Sequence, residues 1–109
     1  MAVLDGTEFH VTSRATGGEV VVSVFGEVDL LTAPKLLEAM GSALDSGDRI
    51  ILDLAAMTFI DSQGIKVLVE AHRRAQSDHV DRVVLRSPQP QARKVLEITG
   101  LAKLLTIED

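Results

Sequence analysis

The sequence predicts an α/β fold: one layered domain over residues 1–109, with a mixed β-sheet that begins with an antiparallel hairpin and has helices packed on it. Two observations predict this class. Short apolar segments rich in β-branched residues alternate along the chain with segments whose apolar residues have helical spacing. The first two apolar segments are separated only by a short connection with Gly17-Gly18, which favours a turn between antiparallel strands.

The hairpin is predicted from residues 9–13 and 19–25. In the first segment polar and apolar residues alternate, which places Phe9 and Val11 on one face of a strand. The second segment, Glu-Val-Val-Val-Ser-Val-Phe, is more apolar. Residues 26–29, Gly-Glu-Val-Asp, are expected to end the second strand.

Residues 32–34, Thr-Ala-Pro, indicate the start of the first helix. Thr32 is the expected N-cap, and Pro34 falls in the first turn, where its missing N–H costs nothing. An apolar stripe follows and is expected to end at residues 46–48, Ser-Gly-Asp. The stripe consists of Leu36, Leu37, Met40, Ala43 and Leu44.

The next strand is predicted over residues 49–54, followed by a loop that ends in Asp61 and Ser62. Both residue types cap helices, and a helix is predicted over residues 62–76. A polar connection at 77–81 leads to a strand over 82–86, so strand, helix and strand form a βαβ unit with parallel strands. A group at the start of this helix lies at the carboxyl end of a strand, where open α/β sheets have their binding sites.

The last part of the chain predicts a turn at residues 87–90, a short helix and a final strand at 104–107. The helix is indicated by Ala92, Val95, Leu96 and Ile98. Gly100 is expected just after it, in the left-handed conformation that ends many helices.

The composition argues against several functions. A formal charge of −5 disfavours binding to nucleic-acid phosphates or anionic membranes, and three Phe with no Trp or Tyr offer little surface for stacking bases. The chain has no cysteine, no leader pattern and no apolar run of membrane-spanning length, so we expect a cytoplasmic protein. The three histidines lack metal-ligand spacing and no cofactor loop is present, so we expect neither a metal, a cofactor nor an enzymatic activity.

Ser62 is the main functional candidate, and three interpretations compete. It can simply cap the helix with Asp61, a role worth about 1 kcal/mol. It can accept a phosphate, which we expect to lie on the free N–H groups at the positive end of the helix dipole and to leave the core intact. A nucleophile elbow is disfavoured, because Ile60 stands where the first glycine of Gly-x-Ser-x-Gly belongs.

Asp29 and Asp53 are expected at strand ends, where each can cap a nearby helix or loop. The early strands lack the acidic pair of a receiver domain phosphorylated on aspartate. His72 is expected on a solvated helix face, nearly three turns from Ser62, which argues against a catalytic pair.

Four segments closely resemble the STAS domain of bacterial anti-sigma-factor antagonists, in that family's order. They are Gly-Glu-Val-Asp at 26–29, Ile-Ile-Leu-Asp-Leu at 50–54, Met-Thr-Phe-Ile-Asp-Ser-Gln-Gly at 57–64 and Leu-Glu-Ile-Thr-Gly-Leu at 96–101. The resemblance implies that an anti-sigma factor with serine kinase activity phosphorylates Ser62. The unmodified protein then binds that anti-sigma factor and frees a sigma factor, and a PP2C-type serine phosphatase resets the modified form.

The resemblance also implies a partner-binding surface made of Asp29, Asp61, Ser62, Gln63 and Gly64, with Asp29 near Ser62. Gly64 is expected to let a partner's backbone approach. Gln63 departs from the family, many members of which have a small residue there, so partner identity and phosphorylation efficiency are expected to differ.

Typical members end in a further helix, for which the sequence leaves no room beyond Asp109. We expect a homodimer or a partner to cover the face that is then bare. The alternative function is a STAS accessory subunit of a lipid-transport ABC complex, bound to the ATPase subunit without a phosphate switch. In that case the helix start at residues 61–68 serves only as an interface.

Overall fold

The computed structural model of the protein describes residues 8–46, 49–77 and 83–109. Its strands and helices are β1 (His10–Thr16), β2 (Glu19–Val28), α1 (Ala33–Asp45), β3 (Arg49–Ile60), α2 (Ser62–Ser77), β4 (Val83–Arg86), α3 (Pro90–Ile98), α4 (Leu101–Leu104) and β5 (Thr106–Glu108). Three predicted features fall outside the described residues: the helix end at Gly47-Asp48, most of the connection at 78–81, and the strand residue Arg82.

The strands form a mixed five-stranded sheet in the order β1-β2-β3-β4-β5. β1 runs antiparallel to β2, from the pair His10↔Phe25 to the pair Thr16↔Glu19, which confirms the predicted hairpin. β3 is parallel to both β2 and β4, and β5 is parallel to β4. Strands β2 to β5 therefore end on the same side of the sheet, which we call the carboxyl edge.

The hydrophobic core lies between the helices and one face of the sheet. Alternate residues of β3 point to that face, as the pleat of a strand requires. They join buried residues of α1, α2 and α3 in one cluster, which includes Ile50, Leu52, Leu54, Leu36, Met40, Leu68 and Leu96. Ile51 and Val84 are also buried but lie outside that cluster, in keeping with their position on the opposite face.

β3 is longer than the predicted strand at 49–54, and the expected loop after it is mostly strand. Its second half pairs with β2 through Glu27↔Phe59 and Val28↔Ile60. Two register shifts precede these pairs, each with one more residue in β3 than in the facing stretch of β2, and Gly26 between them has a φ of 88°. The shifts disturb the alternation of buried and exposed residues in this half of β3, so no period-2 pattern marks it in the sequence.

Some details of the helix ends and of the α1 stripe agree with the sequence-based predictions, and others differ. Gly100 adopts the predicted left-handed conformation, with a φ of 83°. A short helix, α4, follows it where none was predicted, so β5 begins two residues later than expected. Leu37 is 43% exposed, although the stripe of α1 was expected to bury it. Thr32 occupies the N-cap position of α1 as predicted, but its hydroxyl makes no capping bond to that helix.

Candidate functional site

The carboxyl edge brings two aspartates side by side. Val28 and Ile60 are paired across β2 and β3, and each is the last residue of its strand. Asp29 and Asp61 follow them directly, and the Asp61 N–H donates to the Val28 carbonyl oxygen at 3.1 Å. The two strand-to-helix junctions therefore lie next to each other, with Asp61 and Ser62 on one and Asp29 on the other.

Asp61 is the N-cap of α2. Its Oδ1 accepts a 2.8 Å hydrogen bond from the Gln63 N–H and a longer one, 3.4 Å, from the Gly64 N–H. Its carbonyl oxygen accepts from the Ile65 N–H at 3.0 Å, the first hydrogen bond of the helix. Of the two candidates the sequence offered for the cap, Asp61 is therefore the one that caps.

Ser62 is the first residue of α2, and its side chain is exposed. The helix therefore begins where the sequence predicts it. The N–H groups expected to receive a phosphate on Ser62 are not free, however, because Asp61 bonds two of them. The expectation that these N–H groups are free is therefore wrong for the unmodified protein.

Gly64 faces the core. A Cβ added at this glycine would lie 2.5 Å from Cγ1 of Ile60 and 2.7 Å from Cγ1 of Val28. Side chains cannot approach so closely, so Gly64 allows the first turn of α2 to pack against the ends of β2 and β3. The reason predicted for this glycine, room for a partner's backbone, is wrong, because the space it leaves is filled from within.

Asp29 organises the turn between β2 and α1. Its Oδ1 accepts hydrogen bonds from the N–H groups of Leu31 and Thr32, at 3.0 and 3.1 Å. The Thr32 hydroxyl accepts from the Asp29 N–H at 2.8 Å and donates to the Glu27 carbonyl oxygen at 2.8 Å. These bonds hold Leu30 and Leu31 outward, 68% and 82% exposed.

A shallow groove of about 380 Å³ runs from this turn between α1 and α2. Its walls are mostly apolar, and its lining residues are Leu30, Ala33, Pro34, Leu37, Gln63, Lys66, Val67 and Glu70. Gln63 belongs both to the groove and to the turn that carries Ser62. This surface was not predicted from the sequence, although a signal for it is present: Leu30 and Leu31 are two large apolar residues between a strand-ending Asp and a helix-starting Pro.

Of the remaining candidates, Asp53 and His10 make local contacts within the sheet. Asp53 lies inside β3 rather than at its end, and its Oδ1 accepts a hydrogen bond from the Ala55 N–H at 3.0 Å. His10 stacks on Phe25 across the hairpin, with ring centroids 4.1 Å apart. His72 is half-buried on α2 rather than fully solvated. Within the described ranges, no three His, Asp or Glu side chains are grouped to hold a metal ion.

This fold and its carboxyl edge define a small α/β module that presents polar and apolar groups at two adjoining strand-to-helix junctions. The chain belongs to the STAS domain family, which matches residues 10–109. The resemblance found in the sequence is thereby confirmed. Among the helices that the structure describes, none is long and apolar enough to cross a membrane.

Similar proteins are anti-sigma factor antagonists. RsfB, the anti-sigma-F factor antagonist of Mycobacterium tuberculosis, is 33% identical over 94 residues, which are 85% of this chain and 75% of RsfB. The crystal structure of an anti-sigma factor antagonist from Mycobacterium paratuberculosis matches with a TM-score of 0.80 at 27% identity, covering 93% of this chain and 86% of that one. The phosphorylated form of the Bacillus cell fate determinant SpoIIAA matches with a TM-score of 0.68 at 25% identity, covering 92% and 90%.

Proposed function

We propose that this protein is an anti-sigma factor antagonist whose binding is switched by phosphorylation of Ser62. The unmodified form binds an anti-sigma factor that is also a serine kinase and so frees a sigma factor. The observation that carries the proposal is the exposed Ser62 at the first position of α2, on the same edge as Asp29 and the exposed leucines. The names of the similar proteins, one of them a phosphorylated form, support it.

The chemistry requires only that the Ser62 hydroxyl be reachable. Its Oγ attacks the γ-phosphorus of ATP held by the kinase, the bond to the ADP oxygen breaks, and the hydroxyl proton is released. Resetting is hydrolysis: a water oxygen attacks the phosphorus, serine leaves and inorganic phosphate is released, which we assign to a PP2C-type phosphatase. Both steps leave the antagonist itself as substrate and regulator rather than as catalyst.

The surroundings of Ser62 explain why a phosphate there would block docking. The partner-binding surface that we propose consists of Asp29, Asp61, Ser62, Gln63 and Gly64. We include the neighbouring Leu30 and Leu31 in it because they are exposed. Exposed leucines favour a contact from which water is expelled. A phosphate adds about −1.5 to −2 charges at pH 7, and desolvating an unpaired charge costs several kcal/mol.

The residues of this surface contribute in different ways. Asp29 and Asp61 use their carboxylates to hold their own turns, so they shape the surface more than they offer free charge to a partner. Gly64 is buried and acts through the packing of α2. Ser62 and Gln63, with the leucines, are left as the side chains available for direct contact.

The first experiment is to incubate the purified protein with its cognate kinase-like anti-sigma factor and ATP, and to follow intact mass. We expect one added phosphate on the native protein and none on Ser62→Ala. A phosphate on another residue, or none on the native protein, would reject Ser62 as the switch. If no substitution or phosphate at Ser62 changes the affinity for the partner, the alternative function, an accessory subunit of a lipid-transport ABC complex, would be favoured instead.

A further inference from the structure

We infer that Lys66 is the ionic partner of the phosphate on Ser62, and that Asp61 directs the phosphate toward it. This inference rests on the proposed function, in that it takes Ser62 as the modified residue. Lys66 lies four residues after Ser62 on α2, and both side chains are exposed. Residues so spaced are neighbours on a helix surface, and an anion that precedes a cation by four residues is the more favourable orientation.

Most of the backbone N–H groups at the start of α2, which could otherwise bind a phosphate, already donate to other groups. At the start of α2, four N–H groups make no hydrogen bond within the helix. The Asp61 N–H donates to the Val28 carbonyl oxygen, and the Gln63 and Gly64 N–H groups donate to the Asp61 carboxylate. The fourth is the N–H of Ser62 itself. A phosphate on Ser62 is therefore kept off the turn by a carboxylate and drawn instead to the cation four residues further along the helix.

Lys66 is available for this role. Glu70, four residues further along α2, pairs with Arg73 at 3.3 Å. Within the described ranges Lys66 takes part in no ion pair with a protein carboxylate. Lys66 also lines the groove between α1 and α2, together with Glu70. If the Lys66 ammonium group turns toward a phosphate on Ser62, Glu70 is the charged residue that stays on the α2 side of the groove.

The other charged residues of the two junctions and of the first two turns of α1 do not replace Lys66. They are Glu27 and Asp29 at the end of β2, Asp61 before α2, and Lys35 and Glu38 on the exposed side of α1. All but Lys35 are negative, and Lys35 is on a different helix. The negative groups raise the second pKa of a phosphoserine at position 62, and Lys66 lowers it, because a cation favours the dianion.

The test is a titration of phosphoserine placed at position 62 during translation, followed by ³¹P NMR against pH. The second pKa of a phosphoserine is ordinarily about 6. We expect Lys66→Met to raise it by about 0.3 unit, the size of a helix i,i+4 ion pair converted at about 1.4 kcal/mol per unit. Lys66→Arg is expected to restore the native value, and Asp61→Asn, which keeps the capping oxygen but removes the charge, to lower it.

The matched control is Glu70→Gln, which changes a charge on the same helix, one turn further from the phosphate, and is expected to move the pKa by less than Lys66→Met does. An unchanged pKa in Lys66→Met would overturn the inference. So would a large downfield shift of the Gln63 and Gly64 amide protons on phosphorylation, because the phosphate would then have displaced Asp61. Because the phosphoserine is installed without a kinase, these outcomes do not depend on whether the cell modifies Ser62.

Discussion

At the carboxyl edge, each of the two strand-to-helix junctions is held by an aspartate that accepts backbone hydrogen bonds, but the two junctions expose different side chains. After β2, the Asp29 carboxylate bonds the N–H groups two and three residues ahead, and after β3 the Asp61 carboxylate does the same. At the first junction a turn separates β2 from α1, and Leu30 and Leu31 in this turn are exposed to solvent. At the second junction α2 begins directly after Asp61, and its first residue, Ser62, is exposed. One junction thus exposes apolar side chains and the other a serine hydroxyl group.

The largest expected effect concerns Gly64, which lets the second junction pack closely. We expect Gly64→Ala to lower the free energy of unfolding by about 2–3 kcal/mol, because its methyl group would overlap Ile60 and Val28. Urea denaturation measures this. Gly41→Ala is the matched control: it is also helical, its Cβ meets only the flexible end of Arg74, and it should stabilise by up to about 1 kcal/mol. Equal effects at both glycines would contradict the packing described for Gly64.

A smaller effect is expected on binding when the leucines of the first junction are made polar. Leu30→Ser with Leu31→Ser should weaken binding to the anti-sigma factor at least about tenfold, or ~1.4 kcal/mol, while thermal stability changes little. Ile98→Ser serves as the control, because Ile98 is 75% exposed but ends α3, away from the carboxyl edge. A double variant with native affinity, measured by titration calorimetry, would show that the leucines are outside the interface.

The two aspartates should behave alike in stability. Asp29→Ala and Asp61→Ala are each expected to cost about 1 kcal/mol of unfolding free energy, since each removes the acceptor for two backbone N–H groups. Asp29→Asn and Asp61→Asn should lose less, because the amide oxygen can take the same bonds. If only one of the two Ala variants were destabilised in urea denaturation, the junctions would not be equivalent.

The sequence carries the information for the framework better than for the site. The valines of residues 20–24 and the Gly17-Gly18 turn predict the hairpin, and the spacing of residues 49–86 predicts two parallel strands joined by α2; both predictions are confirmed. These features follow from local periodicity and turn preferences, which a single sequence displays.

The site depends on contacts that a sequence does not display. The second half of β3 escaped prediction because its pairing with β2 follows two register shifts, at each of which β3 has an extra residue. The role of Gly64 escaped because it depends on Ile60 and Val28, which only the folded edge brings against it. The choice between Asp61 and Ser62 as cap depends on side-chain orientation, and both residue types suit the position equally.

We expect a negative charge at position 62 to abolish docking without disturbing the fold. The most direct test is titration calorimetry of the anti-sigma factor with the protein carrying phosphoserine at position 62, with Ser62→Asp and with Ser62→Ala. We expect native affinity for Ser62→Ala, and severe loss for the phosphoserine form and for Ser62→Asp, with unchanged melting temperatures. Equal affinities for the three forms would show that charge at position 62 does not control docking.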